Sequence, residues 1–136
     1  TQKVWPALKE NKWVISDRFA DSTMAYQYYA YNQRLSKENI KMLYDFAVGQ
    51  FEPNLTFILD IDPKIGLARS FQKAATMTVQ ETRNENRVLQ WHENLRYGYL
   101  QIAKENPLRC VVLDADTDIE TLHQQIVKVL HERFEI

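Results

Sequence analysis

The chain has 136 residues, enough for one domain with a buried core, and its 45% apolar and 26% charged content is that of an ordinary globular protein. The net charge of −1 comes without any basic block or stripe, which argues against a nucleic-acid partner. No apolar run is long enough to span a bilayer and no signal peptide opens the chain, so no membrane partner is expected, and a single cysteine excludes an intrachain disulfide scaffold and fits a cytoplasmic setting.

The opening residues, Thr1 to Leu8, read as the end of a helix without a start signal, so the chain is expected to be a piece of a longer protein. Trp13-Val14-Ile15-Ser16 is the first β-rich run, Leu55-Thr56-Phe57-Ile58-Leu59-Asp60-Ile61 the second, and Cys110-Val111-Val112-Leu113 the third. Their continuous apolar character predicts strands covered on both faces, as in a parallel sheet. Ser36 reads as an N-cap, followed at helical spacing by Ile40, Leu43, Tyr44, Ala47 and Val48. Asp62-Pro63 is a second start signal, an acidic cap with proline at the first helical position. The spacing predicts a long helix over roughly Asn84 to Lys104, stopped by Pro107. A last helix is predicted from about Thr117, with Ile119, Leu122, Ile126, Val129 and Leu130 near one face. Residues 70–81 have no firm periodicity and form a candidate lid, or a plain surface connection. Strand–helix alternation makes this one α/β domain over residues 1–136, a parallel sheet with flanking helices.

Ligands in such sheets sit beyond the carboxyl ends of the strands. The first run ends there in Asp17-Arg18, and a helix follows with Thr23, Tyr26 and Gln27 three and four residues apart, hence on one face. Arg offers a planar, permanently charged fork for a phosphate, and Gln offers both a donor and an acceptor to a flat polar ring. An ordinary ion pair and a helix with a polar edge explain the same residues with about even odds when the motif is taken alone. Asp62, Asp114 and Asp116 read as capping residues, and His92, His123 and His131 have no ligand-like companions. Cys110 reads as a small buried strand residue, and the Tyr26-to-Tyr31 cluster as packing or nucleotide contact.

The stretch from Asp17 to Gln27 resembles the acceptor-site motif of thymidylate kinases, Asp-Arg-aromatic and then Ser/Thr-x-x-Ala-Tyr-Gln. Trp5-Pro6-Ala7-Leu8, Phe51 to Thr56, Asp62-Pro63 with Gly66 to Arg69, Thr82 to Glu85, Arg96 to Ala103 and Leu113-Asp114-Ala115 resemble further segments of that family in the same order. The resemblance implies a fold of the P-loop kinase type and ATP-dependent phosphorylation of dTMP to dTDP, with ATP and Mg²⁺ as cofactors, a homodimer and a cytoplasmic location. It implies that Arg18 binds the acceptor phosphate and stabilises transfer. Asp17 would lie by Mg²⁺, Thr23 and Gln27 on thymine, and Tyr26 near the deoxyribose. Lys73 in the lid, Glu85 and Asp116 would lie on the ATP side.

The departures are as specific. The only glycines are Gly49, Gly66 and Gly98, so these residues contain no Walker A loop. The family's first two strands are absent from this chain, and the first of them would lie between the Trp13 and Leu55 runs, leaving a gap in the sheet. Thr82 replaces an acidic residue, the lid region has only Lys73 as a basic residue, and Tyr28-Tyr29-Ala30-Tyr31 stands where the family favours glycines. The expectation is an acceptor-site half that is inactive alone. The alternatives are a non-catalytic nucleotide-binding remnant and a kinase for another nucleoside monophosphate.

Overall fold

The computed structural model describes residues 3–31, 35–73 and 82–135. Helix α1 (Val4–Lys9) carries Pro6 near its start, where a missing N–H costs little. The chain then runs without regular structure to the short helix α2 (Ala20–Met24), which continues directly as a π-helical segment over Ala25–Ala30. Helix α3 (Lys37–Val48) starts as expected at Ser36, whose hydroxyl accepts the Asn39 N–H at 3.1 Å. It stops at Gly49, whose φ of 77° is a left-handed conformation that suits glycine.

Strand β1 (Thr56–Asp60) leads into α4 (Pro63–Lys73), capped as expected by Asp62, whose carboxylate accepts the Lys64 N–H at 2.8 Å. The long helix α5 (Thr82–Glu105) ends before Pro107, β2 (Cys110–Asp114) follows, and α6 (Ile119–Phe134) closes the described chain. Of the candidate lid, residues 74–81 lie outside the described residues, and 70–73 belong to α4.

The sheet has the parallel pair β1–β2, in register from Thr56 beside Cys110 to Asp60 beside Asp114. The strand expected at Trp13–Ser16 does not form. That stretch is irregular, with Trp13 63% and Ile15 96% exposed. A strand is held by its ladder, and no described strand lies beside this one to supply it. The expectation that both faces of the strands are covered is also corrected: Leu59 and Val112 are each exposed, at 51% and 42%.

The core lies where α5 meets the α2–π segment and the strands. Ala25, Ala30, Ile58, Leu95, Ile102, Ala103 and Cys110 are buried in it, with Tyr29, Trp91 and Tyr99 packed against them. Close approach of α5 depends on Gly98: a Cβ there would stand 2.6 Å from Tyr29 Cβ. Helix α6 packs on β2 and begins two residues later than expected, because its cap is Asp118, which accepts the Thr121 N–H at 2.9 Å. Asp114 and Asp116, read as caps from sequence, are not the cap of α6. Asp114 instead accepts the Asp116 N–H at 2.8 Å, while the Asp116 carboxylate pairs with Arg69 at 2.6 Å.

Candidate functional site

The turn between Ser16 and Phe19 is shaped by one unusual residue. Arg18 has φ 67°, a left-handed conformation uncommon for a non-glycine residue, and its carbonyl accepts the Ser16 hydroxyl at 2.9 Å. Such backbone conformations cost of order 1–3 kcal/mol and persist where the surroundings impose them, often at functional sites. The turn throws the Arg18 side chain over Tyr26, with the guanidinium carbon 5.3 Å from the ring centroid. Tyr26 is in turn backed edge-on by Trp91 of α5 at 5.4 Å.

Arg18, Phe19, Ser22, Thr23, Tyr26, Gln27, Tyr44 and Val48 line one open cleft of about 510 Å³. The structure therefore brings together Arg18, Thr23, Tyr26 and Gln27, and the three-and-four spacing puts all the helical members on one wall. Arg18, Thr23 and Gln27 are exposed to the cleft and Tyr26 is half-buried. The opposite wall comes from α3, where Tyr44 and Val48 were legible in the sequence only as apolar packing. Phe19 meets Tyr44 and Phe51 edge-on at 5.9 and 5.8 Å, closing one end of the cleft. The Tyr44 hydroxyl donates to the Phe51 carbonyl, and burial pushes its pKa up, so it stays a neutral phenol.

Helix α2, which carries this wall, has no side-chain cap of its own; its N-cap residue is Phe19. Hydrogen bonds with two residues distant in sequence, Arg109 and Tyr99, hold its first turn. Asp21 accepts both Nη atoms of Arg109 at 2.6 and 2.9 Å, and Ser22 Oγ lies 2.8 Å from the Tyr99 hydroxyl. Arg109 Nη1 also donates to Thr56 Oγ1 at 3.0 Å. The bond to Asp21 raises the Arg109 pKa further, and burial does the same for the Tyr99 phenol. Sequence reasoning missed Asp21, Tyr99 and Arg109, since partners 88 and 77 residues apart leave no local pattern.

The other expected site residues lie elsewhere or outside view. Asp17 is exposed beside Arg18. Asp116 is tied to Arg69, which also donates to the Ala115 carbonyl at 3.1 Å, so it forms a bridge from the β2–α6 loop to α4. The side chains of Lys73 and Glu85 lie outside the described residues. Among the described residues no three His, Cys, Asp or Glu side chains converge as a metal cage. A single exposed carboxylate such as Asp17 nevertheless fits Mg²⁺, which is commonly held by one or two carboxylates together with substrate phosphates and water. No described helix is long and apolar enough to cross a membrane.

Comparison with known proteins gives this cleft its context. Residues 1–126 match the family model described as thymidylate kinase. The thymidylate kinase of Afipia carboxidovorans is 39% identical over 132 residues, covering 97% of this chain and 56% of that protein. The thymidylate kinase of Lactobacillus helveticus is 41% identical over 128 residues, covering 94% of this chain and 58% of that protein. The crystal structure of thymidylate kinase from Ehrlichia chaffeensis superposes with a TM-score of 0.69 at 30% identity, over 96% of this chain and 56% of that one. The α/β fold with its parallel strands is thus of the P-loop kinase type, and the chain spans just over half the length of the relatives it matches. With the family model covering nearly the whole chain, these residues belong to the thymidylate kinase family.

Proposed function

We propose that the chain supplies the acceptor half of an ATP-dependent dTMP kinase. The single observation that carries this reading is the meeting of Arg18, Thr23, Tyr26 and Gln27 on one cleft. In this reading the Arg18 fork takes the phosphate of dTMP, and its charge offsets the negative charge of the transferring group. Thr23 and Gln27 satisfy the imide edge of thymine, and Tyr26, backed by Trp91, fills the space a ribose 2′-hydroxyl would need. A phosphate oxygen of dTMP attacks the γ-phosphorus of ATP, the bond to the ADP oxygen breaks, and dTDP and ADP leave. Mg²⁺ held through Asp17 and the phosphates would supply charge neutralisation. Lys73, Glu85 and Asp116 are proposed on the ATP side, and a homodimer is proposed as the working form. The exposed apolar Met42, Leu43 and Phe46 of α3 offer surface for that association.

These 136 residues hold no Walker A loop, so the chain by itself is expected to bind dTMP without phosphorylating it. Titration calorimetry with dTMP and a coupled assay for ADP test the two halves of that statement. Replacing Arg18 with Ala removes a charge-assisted contact worth about 1.5–3 kcal/mol, so dTMP affinity should fall roughly tenfold to a hundredfold. Unchanged affinity in R18A would refute the role given to Arg18. Equal binding of dTMP and UMP would favour a kinase for another monophosphate. Turnover by the 136-residue chain would overturn its assignment as an acceptor half.

A further inference from the structure

Arg109 lies outside the cleft, immediately before β2, yet it is among the most enclosed cations described, with its side chain 13% exposed. Its partner Asp21 is 17% exposed, and the two meet in a bidentate fork. Taking both charges out of water is costly, and such a pair is weak evidence for stability alone. The cost is visible in the geometry: Arg109 Nε is buried without a hydrogen-bond partner, with Glu52 Oε2 at 3.8 Å.

The arrangement links three elements. The Arg109 carbonyl accepts the Thr56 N–H at 2.9 Å, and its guanidinium reaches Thr56 Oγ1, so the residue is fixed to the start of β1 by both backbone and side chain. From that anchor it holds Asp21, in the first turn of a five-residue helix that has no side-chain cap. The next two residues, Ser22 and Thr23, line the cleft, and Tyr26 and Gln27 follow a turn later. A helix this short has little stability of its own, so its placement is set by tertiary contacts.

We propose that Arg109, through Asp21, is a positioning residue for the acceptor cleft: it sets where α2 and the π-helical segment that continues it present Thr23, Tyr26 and Gln27 to the bound nucleotide. The inference rests on the acceptor reading of the cleft. Lys in place of Arg keeps the charge but loses the fork, and Asn in place of Asp keeps the shape but loses the charge.

The test uses the whole chain with dTMP as the probe. Arg109→Lys and Asp21→Asn should each weaken dTMP binding about tenfold and raise amide hydrogen exchange across α2, measured where circular dichroism shows the protein folded. Leu113→Ala, a truncation of a buried β2 residue that makes none of these hydrogen bonds, should lower the melting temperature but leave dTMP affinity within about twofold. The charge-swapped double variant Asp21→Arg with Arg109→Asp should recover part of the affinity lost in the singles. Unaltered affinity and unaltered α2 exchange in both R109K and D21N would overturn the inference alone. If the unsubstituted chain bound no dTMP, the acceptor reading itself would fall, and this inference with it.

Discussion

At the scale of single residues, burial decides chemistry. Cys110 is 6% exposed in the core, and burial pushes its thiol pKa up, so the thiolate is scarce at neutral pH. Alkylation by a small maleimide at pH 7.5 should be slower than for a free thiol by at least an order of magnitude, and become fast in denaturant. Fast native labelling would show that the core opens readily at β2. Arg18 shows the opposite case, a charge left exposed on a turn whose left-handed backbone fixes its direction. Its residue type and neighbours were plain in the sequence, but its backbone conformation was not, because nothing in the string Asp-Arg-Phe demands a positive φ.

Among the helices, local signals were legible where the cause is local. Ser36 and Asp62 cap the helices they precede, since a cap needs only side chains within three residues. Ser36→Ala should therefore cost about 1 kcal/mol, read as a shift in the urea midpoint. At α6, Asp118 accepts both the N–H and the hydroxyl of Thr121, and the hydroxyl bond is the main reason its carboxyl sits below the ordinary range. A carboxyl depressed in the folded state stabilises that state above its unfolded pKa, and the benefit fades as pH falls through the folded value. The melting gap between the unsubstituted chain and Asp118→Ala should accordingly be larger at pH 7 than at pH 3. An equal gap at both would remove the charged cap as its source.

The sequence did not reveal Gly98. Within α5 it looks like a weak helix former, yet it faces Tyr29 so closely that any Cβ must displace that ring. Gly98→Ala, neutral or stabilising in an exposed helix, should here destabilise by about 1–3 kcal/mol through overpacking. Chemical denaturation of the two proteins decides the sign. The tyrosines after Gln27 gain their meaning from the same contact: Tyr29 lies against α5, meeting Tyr97 edge-on at 5.9 Å, and it takes the Lys37 ammonium over its ring at 5.1 Å.

For the molecule as a whole, order of elements and strand direction followed from the alternation of β-rich and helical patterns, while sheet membership did not. Trp13-Val14-Ile15 has the composition of a buried strand, but composition does not specify which backbone will stand beside it. Large apolar side chains stand in solvent here and elsewhere: Ile15 at 96%, Phe46 of α3 at 92% and Leu59 of β1 at 51% exposed. Exposed apolar area and an uncovered strand edge favour association. Sedimentation of the chain should show mass rising with concentration between about 1 and 100 µM, and Phe46→Lys should reduce that rise if α3 carries it. A monomer throughout would count against the α3 face.

The parallel pairing carries one more consequence. Thr56 donates to the Arg109 carbonyl and the Asp60 carbonyl accepts from Ala115, so the pleat alternation turns Thr56, Ile58 and Asp60 toward β2. Phe57 and Leu59 then direct their amides the other way, toward a side where no described strand pairs with β1. In deuterated water those two positions become a gauge: quick to lose their protons while the edge is bare, and slow once any backbone docks along it. Phe57 and Leu59, compared with the even-numbered positions between and beside them, would thus report whether the sheet has been completed.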